Sequence, residues 1–152
     1  MKLNVKDIKK LREETGAGVL EVKQALEKFD GDYKKAREFI IQKVEAKAAK
    51  KAGRVANDGL VVSYIHAGGK IGSLLYLGCE TDFVAKTPDF QNLAKEIAMQ
   101  IATSEYDSVE QLYEDEYIRD PSKKIIDLIN EVTAKVGEKI EIKDFKKFVV
   151  GE

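Results

Sequence analysis

The sequence predicts an α+β fold in which a bundle of three helices precedes an α+β core, itself a small antiparallel sheet covered by helices. Three observations predict this class. Apolar residues recur at helical spacing through residues 5–44, the period changes to two from Gly59, and a period of two returns between Lys139 and Val150. Strands that are separated by helices, instead of alternating with them one by one, are typical of α+β domains.

Three short helices are predicted in the first part of the chain. Their apolar stripes are separated at residues 15–18 and 30–32, where glycines permit the positive φ values that end a helix. In the second break Gly31 suits the position after a helix, and Asp32 suits the N-cap of the next one. The three stripes consist of Val5, Ile8 and Leu11; of Val22, Ala25, Leu26 and Phe29; and of Tyr33, Ala36, Phe39, Ile40 and Val44.

A linker is predicted after the bundle. Residues 45–54 are rich in alanine and lysine and contain no large apolar side chain. Such a segment predicts a helical tail that runs into a connection without a core of its own. The predicted domains are therefore the bundle over 1–45, a helical tail and linker over 46–57, and the core over 58–152.

The core is predicted to open with a β-hairpin and to close with a strand. A Gly-Gly turn at residues 67–70 joins two β-rich runs, the second of which spans Ile71 to Cys79. Helix-start signals at residues 87–89, 108–111 and 120–121 predict a helix, a short helical stretch, and a longer helix that Gly137 ends. The last strand, which shows one slip in its alternation, can join the hairpin only as a third sheet member.

Composition and charge exclude several classes of protein. No run approaches the roughly 18 apolar residues of a membrane span, and the first residues lack the apolar region of a signal peptide. One cysteine, Cys79, excludes an internal disulfide and suits a reducing cytosol, so a cytoplasmic location is expected.

The charge is unevenly distributed, and this leaves a nucleic-acid alternative open. Residues 1–54 carry fifteen Lys and Arg against nine Asp and Glu, whereas the whole chain has a net charge of −1. A basic front could bind nucleic acid as an adaptor. Separate solvated faces are the favoured interpretation, because no dense basic block and no interleaved aromatic residues are present.

No constellation for covalent chemistry is found. His66 is solitary beside the hairpin turn, and no cluster of His and Cys offers a metal site. Cys79 lies on an apolar strand and is expected in the core instead of acting as a nucleophile. Residues 68–70, Gly-Gly-Lys, lack the spacing and the following helix of a phosphate loop. The sequence therefore predicts a protein that acts by binding, without metal or cofactor.

Two stretches carry a specific resemblance. Residues 5–18 end in Leu-Arg-x-x-Thr-Gly-Ala-Gly, and residues 79–85 read Cys-Glu-Thr-Asp-Phe-Val-Ala. In this order they resemble the two signatures of the elongation factor Ts family. Residues 23–27, 31–36 and 50–56 match the same family's second helix, third helix and linker, and the resemblance, which is to the short bacterial members, runs along the whole chain.

The resemblance implies a translation factor that promotes GDP release from elongation factor Tu. In the family the first bundle resembles a ubiquitin-associated (UBA) domain and docks on the GTPase domain of elongation factor Tu. The second signature inserts its phenylalanine into an apolar pocket there and displaces a helix that supports the Mg²⁺ site. The implied partner-binding residues are Arg12, Val19, Leu20, Thr81, Asp82, Phe83 and Val84.

Both groups of residues also have a purely structural interpretation. Val19 and Leu20, where the family often has methionines, could be the core residues of a helix start. Thr81 could be an N-cap, Asp82 an acid that complements the helix dipole, and Phe83 a core residue. The resemblance favours partner contact at both places.

The resemblance also implies self-association. Short family members pair through the sheet of the core domain, and some carry a cysteine in the last strand that bridges the pair. Residues 145–148, Phe-Lys-Lys-Phe, contain no cysteine. A noncovalent homodimer is therefore expected.

Overall fold

A computed structural model describes residues 2–152. The chain divides into two compact units, which are described separately. The first unit comprises the residues up to Gly53 together with Asn130–Gly137, and the second comprises Arg54–Ile129 and Glu138–Glu152. The inclusion of residues 130–137 in the first unit has no counterpart in the predicted boundaries.

The first unit contains the three predicted helices, α1 (Val5–Thr15), α2 (Val19–Lys28) and α3 (Tyr33–Lys50). The break before α2 contains Gly16 at a φ of 76°. The break before α3 follows the predicted chemistry, since Gly31 has a φ of 82° and Asp32 accepts a hydrogen bond from the Lys35 amide at 3.1 Å. Helix α3 continues to Lys50, so the first residues of the predicted tail and linker are helical.

The core of the first unit is built mainly from the predicted apolar stripes, to which Ala17 of the break before α2 is added. Val5 is the exception, at 77% exposed, because it is the first residue of α1 and the stripe reaches the interior only at Ile8 and Leu11. The buried members are Leu11, Ala17, Val22, Ala25, Leu26, Ala36, Ile40 and Val44.

The second unit is built on a three-stranded antiparallel sheet in the order β1-β2-β5. The hairpin and the third strand are as predicted, and the register shifts between Tyr76 and Leu77, where β5 carries the slip seen in its sequence. In chain order the elements are β1 (Asp58–Ile65), β2 (Ile71–Cys79), α4 (Asp82–Ala85), α5 (Pro88–Thr103), α6 (Val109–Glu114), β3 (Glu116–Tyr117), β4 (Asp120–Lys124), α7 (Ile125–Val136), which continues into the first unit, and β5 (Glu141–Val149).

The two faces of this sheet differ in burial. Helix α5 packs on one face of β1 and β2, and Leu75 and Leu77 lie fully buried there. Cross-strand pairs such as Val61 with Tyr76 belong to the other face, which is exposed in the chain. This open sheet face is defined by five exposed apolar residues, Val61, Ile65, Leu74, Tyr76 and Phe148.

The predicted helix start at Asp120-Pro121 is wrong. These residues belong to β4, which pairs with β3 in a second sheet of two strands that the sequence did not indicate. The Asp120 carboxylate accepts from the amide and the hydroxyl of Ser122, at 3.2 and 2.6 Å, and so it stabilises a turn instead of capping a helix. Helix α7 begins at Ile125 instead, where Asp127 accepts from the Lys124 amide at 2.8 Å.

The other two helix starts are confirmed. Thr87 caps α5 by accepting from the Phe90 amide, and Ser108 caps α6 by accepting from the Gln111 amide at 3.1 Å. The capping box at α6 is modified, because the Gln111 side chain accepts from the Asp107 amide at 2.6 Å and not from the amide of the capping serine.

Candidate partner-binding site

The second signature forms a tight turn and a single helical turn at the end of strand β2. Thr81 is the N-cap of α4, and its hydroxyl oxygen accepts from the Val84 amide at 3.3 Å. The helix ends within one turn, where the Thr87 hydroxyl donates to the Val84 carbonyl at 2.7 Å. The alternative interpretation of Thr81 as an N-cap is thus confirmed.

Helix α4 divides its residues between the interior and the surface. Val84 and Ala85 are 5% and 2% exposed, so they anchor the helix in its own unit. The Val84 side chain, predicted to contact a partner, is therefore not available to one in this conformation. Phe83 is 78% exposed, which makes the alternative interpretation of this ring as a core residue wrong.

An exposed phenylalanine on an anchored turn leaves most of a large apolar side chain without contact from the described residues. Burying such a side chain contributes about 1.5–3 kcal/mol. Asp82 beside it is also exposed, and its ion pair with Lys86, 3.5 Å across one turn of helix, contributes little because both groups are solvated. The turn therefore presents an acid and an aromatic ring side by side to whatever contacts it.

A group that the sequence did not indicate holds this turn in place. One oxygen of the Glu138 carboxylate accepts from the Glu80 and Thr81 amides at 3.1 and 3.0 Å, and the other accepts from the Thr81 hydroxyl at 2.8 Å. In return, the Glu80 carboxylate accepts from the Lys139 amide at 2.6 Å. We call Glu80, Thr81, Glu138 and Lys139 the end clamp.

The residues predicted to dock through the first unit lie at a loop and helix start. Arg12 is exposed in the last turn of α1. Val19 and Leu20 are the first two residues of α2 and are 39% and 68% exposed, whereas Val22 of the same helix is fully buried. The alternative interpretation of Val19 and Leu20 as core residues is therefore wrong.

The described residues contain few groups suited to covalent chemistry. Residues 2–152 hold no group of three or more His, Cys, Asp and Glu side chains placed to bind a metal ion. His66 faces the Tyr64 hydroxyl across 3.4 Å. Cys79 is fully buried, as predicted, and burial raises the pKa of its thiol to about 11. Helices long and apolar enough for a membrane span are absent from the described part of the chain.

Cys79 is expected to resist alkylation by iodoacetamide in the folded protein at neutral pH and to react fully in guanidinium chloride. The thiolate is the reactive form, and burial disfavours it. Because the folded pKa of about 11 lies above the ordinary 9.0, the stability linked to this thiol is complete below pH 9 and is lost as the pH rises towards 11. Rapid labelling of the native protein at neutral pH, followed by mass spectrometry, would contradict this placement.

Comparisons with a family model and with known proteins identify the same family. The family model described as Elongation factor TS matches residues 80–152. Elongation factor Ts from Thermoanaerobacter sp. (strain X514) is 42% identical over 99% of the chain and 96% of the relative. Elongation factor Ts from Petrotoga mobilis is 40% identical over the full length of both, and the chloroplastic Elongation factor Ts of Guillardia theta is 40% identical over 100% of the chain and 90% of the relative.

The alignments also show where this chain differs from these relatives. The first of them runs over 195 positions, which is more than the 152 residues of the chain. The relatives therefore contain segments with no counterpart here.

Proposed function

The chain belongs to the elongation factor Ts family, and on this premise we propose that it promotes GDP release from elongation factor Tu by binding, without covalent chemistry and with Phe83 as the inserted group. The observation that carries the proposal is the exposure of Phe83, 78%, on a turn whose next two residues are buried. Family membership equally supports a cytoplasmic location.

The physical requirement for such a factor explains why an exposed aromatic ring suits the task. An exchange factor must bind the GDP-free state of its partner more tightly than the GDP-bound state, since equal affinity shifts no equilibrium. A ring that is buried only in a rearranged partner adds about 1.5–3 kcal/mol to that state alone. This corresponds to roughly a tenfold to hundredfold change in nucleotide affinity. By reciprocity, GDP must weaken the binding of the factor.

Asp82 and Thr81 support the ring in this proposal. Thr81 fixes the start of α4, and Asp82 places a negative charge beside Phe83 at the contact. In the family this segment displaces a helix that supports the Mg²⁺ site of elongation factor Tu, and we propose the same action here. Val84 contributes from inside the unit by anchoring α4.

We further propose that the first unit is a UBA-like bundle and provides the initial docking surface. The side chains at its exposed α1–α2 edge support this, because Leu20 is 68% exposed beside the buried Val22. Arg12 and Val19 complete the surface. Docking here would hold the partner while Phe83 inserts. The first unit would then determine the affinity for the partner, and Phe83 the rate of nucleotide release.

The open sheet face supports a noncovalent homodimer. Its five apolar residues form a contiguous surface on three neighbouring strands, and exposed apolar surfaces of this kind mark interfaces. Two such faces can pack about a twofold axis, as sheets do in a sandwich. The single cysteine is fully buried and cannot bridge the pair.

The proposed function is tested by the release of a fluorescent GDP analogue from elongation factor Tu in a stopped-flow instrument. Substoichiometric amounts of the protein are expected to accelerate release, and the two proteins should co-purify without GDP and separate when GDP is added. Unchanged release with retention of RNA that falls steeply with salt would instead favour the nucleic-acid adaptor, which the relatives do not support.

A further inference from the structure

The end clamp continues the sheet beyond the last backbone pair of β2 and β5. That last pair is Gly78 with Glu141 in an antiparallel register. Continuing the same register places Glu80 opposite Lys139 and Thr81 opposite Glu138. At these positions, just outside the two strands, the Glu80 carboxylate accepts from the Lys139 amide at 2.6 Å, and the Glu138 carboxylate accepts from the Glu80 and Thr81 amides at 3.1 and 3.0 Å. Two side chains thus replace the backbone ladder where it ends.

The clamp also determines how Thr81 caps α4. The Thr81 hydroxyl donates to the Glu138 carboxylate at 2.8 Å, and its oxygen accepts from the Val84 amide at 3.3 Å. A hydroxyl has one proton, so a carboxylate acceptor on one side leaves a lone pair for the helix on the other. Glu138 therefore orients the group that starts the helix carrying Phe83.

Helix α4 depends on such external support. It has four residues, and helices far shorter than about 12 residues are not stable on their own in water. Its inner side is anchored by Val84 and Ala85, while its outer side, with Asp82 and Phe83, is exposed. The direction of the Phe83 ring is thus governed by the helix start, which the clamp holds.

We propose that Glu138 is a positioning residue for nucleotide exchange, which holds the Thr81 turn so that Phe83 projects ready for insertion. The inference rests on the proposed function of Phe83 and adds a residue to it. Without the carboxylate, Phe83 remains but occupies the insertion geometry for a smaller fraction of the time. The rate of insertion after docking is limited by this fraction. The docking surface of the first unit is not affected, because Glu138 does not belong to it.

Glu138→Ala is expected to lower the maximal rate of catalysed GDP release about tenfold while changing the KM for the elongation factor Tu–GDP complex much less. Glu138→Gln keeps one acceptor oxygen for the two amides but cannot accept from the Thr81 hydroxyl. Its maximal rate should therefore lie between those of Glu138→Ala and the unaltered protein. Glu110→Ala, at an exposed glutamate on α6, is the matched control and should behave as the unaltered protein. Unaltered rates for both Glu138 variants would overturn the inference.

A double-mutant cycle of Glu138→Ala with Phe83→Ala distinguishes the positioning of Phe83 from a general loss of structure. If Glu138 acts through Phe83, Glu138→Ala should have little further effect in a Phe83→Ala background. Independent losses that multiply would show that Glu138 acts elsewhere and would overturn the inference. If Phe83→Ala itself exchanges GDP normally, the proposed insertion role of Phe83 fails, whereas a slow Phe83→Ala with a normal Glu138→Ala defeats only the inference about Glu138.

A measurement on the isolated protein keeps the inference testable without a partner. The chain contains no tryptophan, so Phe83→Trp introduces a single fluorescent indole at the position of interest. Time-resolved anisotropy should show a larger fast component for this indole after Glu138→Ala or Glu138→Gln, and no change after Glu110→Ala. Equal anisotropy decays in all variants would contradict a positioning role.

Discussion

Phe83→Ala is expected to slow the catalysed release of GDP from elongation factor Tu by about tenfold to a hundredfold, which is the loss of one buried phenylalanine expressed as a rate. Asp82→Ala should show a smaller loss, because its exposed charge is screened by solvent. Stopped-flow release of a fluorescent GDP analogue measures both. The free energy of unfolding should stay within about 0.5 kcal/mol of the unaltered protein, since the Phe83 ring makes little contact with its own chain.

The control for Phe83→Ala is Ile118→Ala, which truncates another exposed apolar side chain, 48% exposed, away from α4 and from the open sheet face. It should exchange GDP at the unaltered rate. Unaltered acceleration by Phe83→Ala would remove the insertion role, while leaving the family membership intact. A large loss of stability in Phe83→Ala would show that the ring has interior contacts after all.

Leu74→Glu is expected to weaken the proposed homodimer by at least about a hundredfold, because a carboxylate at the centre of this face would lose its hydration twice in a twofold interface, and pairing with the facing Lys146 offsets only part of that cost. Leu74 lies on the central strand of the open sheet face and is paired with Ser63 on one side and Lys146 on the other. Analytical ultracentrifugation should report twice the chain mass for the unaltered protein and the mass of one chain for the variant.

Val5→Glu is the matched control for the dimer, since it makes the same change at an apolar residue of the first unit that is 77% exposed. It should sediment as the unaltered protein does. Circular dichroism should show the same secondary structure for all three proteins. A monomeric mass for the unaltered protein, or a dimeric Leu74→Glu, would contradict the proposed use of this face.

Much of the fold could be predicted because local chemistry decides it. The breaks at Gly16 and Gly31 adopt positive φ, and Asp32, Thr87 and Ser108 cap the helices that they precede. The hairpin and the third strand followed from alternation and from a Gly-Gly turn. In each case the signal lies within a few residues of the structure that it specifies.

The sequence-based predictions failed for residues whose roles depend on contacts with residues far away in the sequence. Asp120-Pro121 resembles a helix start, but pairing with β3 and the Ser122 turn take precedence over that signal. Glu138 carried no signal, because its importance comes from facing Thr81 across 57 residues of sequence. The exposure of Phe83 was likewise open between partner and core contact from the residues alone, since an N-cap followed by an aromatic residue suits both.

In the proposed mechanism the Phe83 ring discriminates between the two states of elongation factor Tu. This discrimination is tested most directly by measuring, calorimetrically, the affinities of the unaltered protein and of Phe83→Ala for nucleotide-free and for GDP-bound elongation factor Tu. We expect the preference for the nucleotide-free state to fall about tenfold to a hundredfold in the variant, with the affinity for the GDP-bound state nearly unchanged. An equal loss of affinity for both states would contradict it, because uniform binding cannot expel a nucleotide.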